Sequence, residues 1–434
     1  MLKKISGWGN NTRLNTNIFY PTNIIEIKRM MRKGCIARGM GRSYGDSSIQ
    51  PNCTLSTQQI NRVLKFDKQR GIIEVEAGIT VKELLRLIVK KGWFLPVTPG
   101  SKYISLGGMI ASDVHGKNHH KVGSFKNFLL SLKIIDENKK IIECSKKKKS
   151  KLFNYTVGGM GLTGIVYSCK LQLKKINSNK VLKETIKNKN LKETLDSIKK
   201  SNDWEYNVAW IDTSANKNEI GRSILTRGKF ITKDKPSDFI EKKKINFSLV
   251  FSLFPSFFMN RYVIKFLNEI YFNFIKTKID KIDIDSFFYP LDSLENWNKI
   301  YGKKGFISYQ CSFPKKNSFR NIKKLLEIIR DNKIYSFISV LKSMGKSDQY
   351  ISFSQKGYTL VFDFPIYSNI YNILDKMDQI VLKSKGKVYL CKDSRISKNS
   401  FLKINNEFKK KEFTKLRQTQ KFYFESVQSK RLGL

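Results

Sequence analysis

The sequence predicts an α+β fold divided into more than one domain. Length and composition come first: 434 residues with 40% apolar and 12% aromatic content suffice for two or three packed cores and exclude a disordered chain. The second observation is periodicity. Short alternating strand patterns and i, i+3, i+4 helix patterns succeed one another along the chain. The third is a change of texture near residue 180. Before it, glycine-rich loops punctuate short elements; after it, longer strand and helix patterns alternate as far as Gly386.

Taken in order, Asn23 to Arg32 reads as a helix and Cys35 to Gly39 as a strand entering a glycine loop. Ile72 to Ala77 reads as a strand. Thr80-Val81-Lys82-Glu83 is a capping box, in which the Thr80 hydroxyl caps the helix amides and Glu83 reaches back. Behind it Val81, Leu84, Leu85 and Ile88 share one helical face. Leu130 to Cys144 reads as a hairpin turning at Asp136-Glu137-Asn138, and Lys146 to Lys149 as a solvated loop. Gly159-Met160-Gly161-Leu162-Thr163-Gly164 matches the GxGxxG dinucleotide fingerprint, but that fingerprint requires a helix directly after it. Here Ile165, Tyr167, Cys169, Leu171 and Leu173 alternate at strand period, so a plain glycine turn beside some ligand is expected. Farther on, Asn207 to Asp212, Phe306 to Phe313 and Tyr358 to Phe364 read as strands, and Ser318 to Arg330 and Ile370 to Leu382 as helices, giving a sheet covered on one face. The basic tail from Val388 is too short for a core of its own and is expected to return to the first domain.

The formal net charge is +46. Lysines run through the whole chain beside much Asn and Ile, which fits a compositional bias placing lysine on solvated faces. An anionic membrane, a phosphorylated substrate or nucleic acid are the functional readings, each well-placed Lys or Arg contributing about 1 kcal/mol at an anionic lipid surface. The six cysteines (Cys35, Cys53, Cys144, Cys169, Cys311, Cys391) form no CxxC pair, so neither a metal site nor a disulfide framework is expected. No secretory pattern follows Met1-Leu2-Lys3-Lys4, and no apolar run reaches the ~18 residues of a spanning helix, so a cytoplasmic protein or one peripheral on the cytoplasmic membrane face is expected. The nearest approach lies between Ile245 and Ile275. It holds Phe247, Leu249, Val250, Phe251, Leu253, Phe254, Phe257, Phe258 and Met259, read either as core or as an element dipping into a bilayer.

Chemistry concentrates in glycine-rich segments. All three histidines fall in His115-Gly116-Lys117-Asn118-His119-His120, just after Gly107-Gly108-Met109-Ile110-Ala111-Ser112-Asp113-Val114. Arg38-Gly39-Met40-Gly41-Arg42-Ser43-Tyr44-Gly45-Asp46 can turn several backbone N–H groups toward one anion. Pro99-Gly100, Ser105 to His115 and Gly158 to Ile165 can line the rest of a slot, so together these turns point to a dinucleotide held without a Rossmann helix.

These segments, with Phe287-Phe288-Tyr289-Pro290-Leu291-Asp292 and Tyr389-Leu390-Cys391-Lys392-Asp393-Ser394-Arg395, resemble the flavin oxidoreductases of the vanillyl-alcohol-oxidase type, and within them the branch acting on polyprenyl-phosphate-linked pentoses. The resemblance covers nearly the whole chain in order. It implies a two-domain PCMH-type FAD-binding fold: an FAD-binding domain over residues 1–178, an inserted α+β substrate (cap) domain over 179–386, and a segment 387–434 returning to the first. By motif match, FAD would contact Ala37, Arg38, Gly39, Met40, Gly41, Arg42, Ser43, Tyr44, Gly45, Asp46 and Ser47, then Gly100, Ser105, Leu106, Gly107, Gly108, Ser112, Asp113, Val114, His115, Ile165 and Tyr389. Many relatives attach flavin through a histidine in the first glycine loop. Arg42 stands there, so non-covalent FAD is expected.

The implied reaction is oxidation of a secondary hydroxyl, the 2-OH of a polyprenyl-phosphate-linked pentose, to a ketone. It would be the oxidative half of an epimerisation in cell-envelope glycan precursor synthesis, completed by a partner NAD(P)H-dependent keto-sugar reductase. Lys392 matches the active-site lysine, as ammonium beside an alkoxide or as base, and His115 is expected at the flavin or the sugar. Lys117 suits a substrate phosphate, while Tyr44, Tyr289 and Gln310 match sugar-contacting positions. Two positions depart from the pattern. Val361 replaces a cysteine two residues before Asp363, and Val208 replaces a serine two before Trp210; both put the sugar and lipid in question more than the redox step. The competing readings are an aldonolactone oxidase and a basic nucleic-acid-binding protein without redox activity. No specific nucleic acid is expected under the first reading, whereas an anionic membrane surface is.

Overall fold

A computed structural model describes residues 2–232, 236–242, 259–347, 351, 353–405, 411–421 and 423–434. The apolar stretch from Phe247 to Phe258 therefore lies outside the described residues. Met259, at its end, is buried.

The amino-terminal part carries two main sheets. A four-stranded sheet runs in the order Leu2–Ser6, Arg13–Phe19, Thr54–Ser56, Ile36–Arg38, the last pairings being parallel. A five-stranded antiparallel sheet runs in the order Val63–Asp67, Ile72–Glu76, Ile165–Gln172, Leu129–Ile135, Ile141–Ser145. The predicted hairpin is the last pair, turning at Asp136 with Lys139 in the left-handed region. Helix Val81–Ile88 starts at the capping box: Thr80 Oγ1 accepts from Glu83 N at 3.2 Å and Glu83 Oε2 accepts from Thr80 N at 2.7 Å. Its predicted apolar face, Val81, Leu84, Leu85 and Ile88, is fully buried. The GxGxxG segment leads straight into strand Ile165–Gln172, so no helix follows it. Lys146 to Lys149 are exposed.

The second part is built on an eight-stranded antiparallel sheet in the order Lys278–Asp283, Lys180–Asn188, Ser223–Phe230, Tyr206–Ile211, Ser339–Met344, Gly357–Pro365, Phe306–Pro314, Lys387–Val388. Helices Ser318–Asp331 and Ile370–Lys383 cover one face. Their Ile322, Leu325, Leu326, Ile373 and Met377 pack with strand residues Tyr309, Cys311, Phe313, Leu360, Phe362 and Phe364. Because side chains alternate along a strand, Ser308, Gln310, Thr359, Val361 and Asp363 emerge on the opposite face. That face is turned toward the glycine-rich loops: Asn207 N donates to Lys117 O at 2.9 Å and Gln310 Nε2 lies 2.9 Å from His115 Nε2.

The chain's end packs on its beginning. Val427 N donates to Ile49 O at 2.9 Å, Gln420 Nε2 to Thr163 O at 2.7 Å, and the Arg431 guanidinium lies between Asp46 and Asp393.

Candidate active site

A cleft enclosing about 840 Å³ of space, part of it open to solvent, lies among the glycine loops. Gly39, Met40, Gly41, Arg42 and Ser43 form one wall. Ser105, Gly107, Gly108, Ser112 and Val114 form a second; Gly161, Gly164 and Val166 a third; Ala37 and Ser47 also line it. The glycines are required by crowding. A Cβ on Gly39 would stand 2.0 Å from Ser105 Oγ, and Gly164, at φ +140°, would place one 2.4 Å from Ile134 Cγ2.

Other expected cofactor residues stand behind this wall. Arg38 turns away to donate to Ser6 O at 2.7 Å and Ser48 Oγ at 3.2 Å. Asp46 is held by Arg431, Gly45 abuts the Asp393 carbonyl, and the Leu106 and Ile165 side chains belong to the cores beneath. Gly100 is exposed, with no atom near where its Cβ would be. Asp113 and Tyr389 line an adjoining cavity of about 390 Å³ that shares Ser112 and Met160 with the first, and the Tyr389 hydroxyl donates to Ser112 O at 2.9 Å. Sequence reasoning missed Ser48, Thr57, Ile104, Val166 and Cys391 in the main cavity: Ser48, Ile104 and Val166 adjoin the named segments, Cys391 sits within a motif read for Lys392, and Thr57 carries no signal.

Polar side chains gather beside the cavity. Gln310 Nε2 approaches His115 Nε2 at 2.9 Å and donates to Thr359 Oγ1 at 3.1 Å. An amide nitrogen only donates, so His115 Nε2 accepts and the neutral ring carries its proton on Nδ1. Burial, then Lys342, His119 and Lys392, hold its pKa well below the usual range, so the ring stays neutral. His115 Nδ1 is buried without a partner, as is Asp363 Oδ2. Lys392 Nζ sits 3.8 Å from the Tyr44 ring centroid. Burial lowers its pKa, and the charge of Asp363 opposes that. Asp363 Oδ1 accepts from Ser308 Oγ at 2.5 Å, and burial raises this carboxyl.

Two further lysines complete the cluster. Lys117 Nζ donates to the Phe287 carbonyl and lies 4.5 Å from the Phe287 ring centroid. Burial, with Lys342 and Lys183, brings its pKa to about 7. Lys342, directly cross-strand from Thr359, is brought to about 8 by burial and Lys392. Lys342 and Asp363 were not singled out from the sequence, since only strand register puts them here. Val361 faces Gln310 across its strand pair, so the cysteine departure falls in the site wall; Val208 lies on strand Tyr206–Ile211, separated from that pair by strand Ser339–Met344. Tyr289 is buried, its hydroxyl 2.6 Å from Thr98 Oγ1. His119 accepts from Gly345 N and packs its ring edge to face with His115 at 6.4 Å between centroids, whereas His120 meets Asn207, so His115 and His119 join this group and His120 does not. No cluster of metal-ligating side chains occurs among the described residues.

Two observations suit an extended flat ligand: Gly39, Gly41, Gly107, Gly108, Gly161 and Gly164 line the cavity without side chains, and His115 Nδ1 is unpartnered beside it. Comparison with known proteins agrees. A family model described as an FAD-binding domain matches residues 18–145. The chain is 28% identical to decaprenylphosphoryl-beta-D-ribose oxidase of Mycolicibacterium smegmatis over 417 residues, 92% of this chain and 90% of that protein. It is 27% identical to L-gulonolactone oxidase of Bos taurus over 186 residues, 42% of this chain and 41% of that protein. It is also 24% identical to L-galactono-1,4-lactone dehydrogenase of Arabidopsis thaliana over 178 residues, 39% of this chain and 29% of that protein.

Proposed function

From the premise that this chain is an FAD-dependent oxidoreductase of the PCMH-type fold, we propose that it oxidises the 2-hydroxyl of a polyprenyl-phosphate-linked pentose to a ketone. The observation that carries this reading is the meeting of three lysines, Lys117, Lys342 and Lys392, with His115 and Gln310 beside the cofactor cavity. An anion bound between Lys117 and Lys342 would favour their charged forms against burial and mutual repulsion. A sugar phosphate supplies one; a free lactone does not. The near-full-length likeness to a ribose oxidase, against partial likeness to lactone enzymes, supports the same choice.

Residues lining the glycine loops, Gly39 to Ser43, Ser105 to Gly108 and Ser112 to Val114, would hold FAD, with His115 Nδ1–H free to donate toward it or the sugar. Bound FAD supplies the acceptor of a hydride from the carbinol carbon. The rest falls to this chain. Lys117 and Lys342 bind the phosphate, and Gln310 fixes the His115 tautomer. Lys392, in its amine form, takes the hydroxyl proton while Asp363 balances the ammonium that results. The ketone then passes to a reductase of another chain, and the enzyme works peripherally at the cytoplasmic membrane face.

The test is anaerobic flavin bleaching. The purified protein is yellow and releases free FAD on acid treatment, since Arg42 cannot form the covalent link. A polyprenyl-phosphoribose bleaches the flavin; lactones and the dephosphorylated sugar do not. Bleaching by lactone alone refutes the proposed substrate.

A further inference from the structure

Among the described residues, six of the sixteen large apolar side chains left exposed fall between Tyr262 and Ile279. Four of them, Tyr262 (76% exposed), Phe266 (63%), Ile270 (37%) and Phe274 (79%), recur at i+4 along one helix, Arg261–Phe274. Residues four apart form a continuous ridge on a helix, here about 18 Å long. The helix does not need this ridge to hold it in place. Ile264, Asn268 and Phe272 form its buried face, and Asn268 Nδ2 donates to Asp212 Oδ1 at 3.0 Å. Asn260 caps it, accepting from Tyr262 N and Val263 N. An exposed aromatic ridge on a firmly anchored helix marks a surface that something covers.

Charge identifies the occupant. Arg261, Lys265, Lys276 and Lys278 stand exposed around the ridge. The carboxylates nearby are already engaged: Glu269 with Arg222 and Asn273, Asp280 with Lys278 at 3.1 Å. Aromatic and aliphatic side chains flanked by exposed cations, with Arg261, Lys265, Lys276 and Lys278 outnumbering Glu269 and Asp280, match the interfacial zone of an anionic bilayer, where the rings enter the acyl boundary and the cations meet headgroups. We propose that the Arg261–Phe274 helix docks this protein on anionic lipid membranes. The chain continues from the helix through edge strand Lys278–Asp283 to Phe287, whose carbonyl accepts from Lys117. Docking there ties the membrane to the end of the site that binds phosphate. The lipid-linked substrate proposed above gives docking a purpose, but vesicle binding is read without any substrate.

The experiment is co-sedimentation of the FAD-loaded protein with vesicles of phosphatidylcholine and phosphatidylglycerol, and with phosphatidylcholine alone. The expected result is binding to the anionic vesicles only, weakened at high salt. Phe266→Ser combined with Phe274→Ser lowers that binding by about tenfold or more, with flavin content and melting temperature unchanged. As an independent readout, Tyr262→Trp shows a fluorescence blue shift on adding anionic vesicles. Equal binding by the double variant, equal binding to neutral vesicles, or no binding by the unaltered protein each overturns the proposal. Loss of flavin bleaching by sugar phosphates would instead overturn the substrate reading and leave this one standing.

Discussion

Burial lowers the Lys392 pKa, and the charges of Asp363 and then Cys391 oppose that shift. A lysine acting as base works above its pKa, so the rate of flavin reduction falls as pH drops through that value. Asp363→Asn removes a charge that raises it, so the acid limb of the reduction rate moves to lower pH. A limb that stays in place would show that Asp363 acts only through packing. Lys392→Ala retains the flavin spectrum and loses about 10²–10⁴-fold in reduction rate, measured in a single turnover. At this scale the sequence singled out His115 and Lys392 because each sits inside a motif. It was silent for Lys342 and Asp363, since an isolated lysine or aspartate on a strand looks the same in a site or on a surface.

Among elements, the turn from Gly158 to Gly164 illustrates both success and loss. Its helix-free character follows from the strand alternation after it, and Gly161 and Gly164 line the cofactor cavity. Gly164→Ala forces a side chain into a φ of +140° and against Ile134, at a cost of about 2–4 kcal/mol. Urea unfolding should show that loss together with weaker FAD retention; unchanged stability would mean the turn has room to shift. The Thr80 capping box and the hairpin at Asp136 were readable because each is closed by its own neighbours in sequence. Helix Leu191–Lys199 was not assigned, although Asn190 accepts from Glu193 N at 3.0 Å in the same kind of cap. Its Leu191, Leu195 and Ile198 keep the i, i+4, i+7 spacing and are buried, so the signal was present and went unread.

For the whole molecule, closure depends on the chain's last residues. Arg431 reaches both Asp46, in the first glycine loop, and Asp393, next to Lys392. Both carboxylates are buried, so Arg431→Ala strips them of their cation at a cost of about 2–4 kcal/mol. The expected outcome is a lower melting temperature and a lower flavin-to-protein absorbance ratio. A full flavin complement at an unchanged melting temperature would show that the tail is dispensable. The net charge of +46 acts at this scale too, as a field favouring anionic surfaces; only the Tyr262–Phe274 ridge gives that field a direction.

The sequence by itself determined the α+β character, the glycine loops able to pass close to a flat ligand, and the histidine and lysine expected at its reactive end. Those properties are local: backbone freedom, alternation and short-range capping are written within a few residues. Tertiary structure alone decided which side chains meet. Gln310 finds His115, and Lys342 stands beside Thr359, through strand register and through packing of one sheet face onto distant loops. A one-residue slip in register would send Gln310 and Asp363 into the apolar core, and no local pattern records that choice.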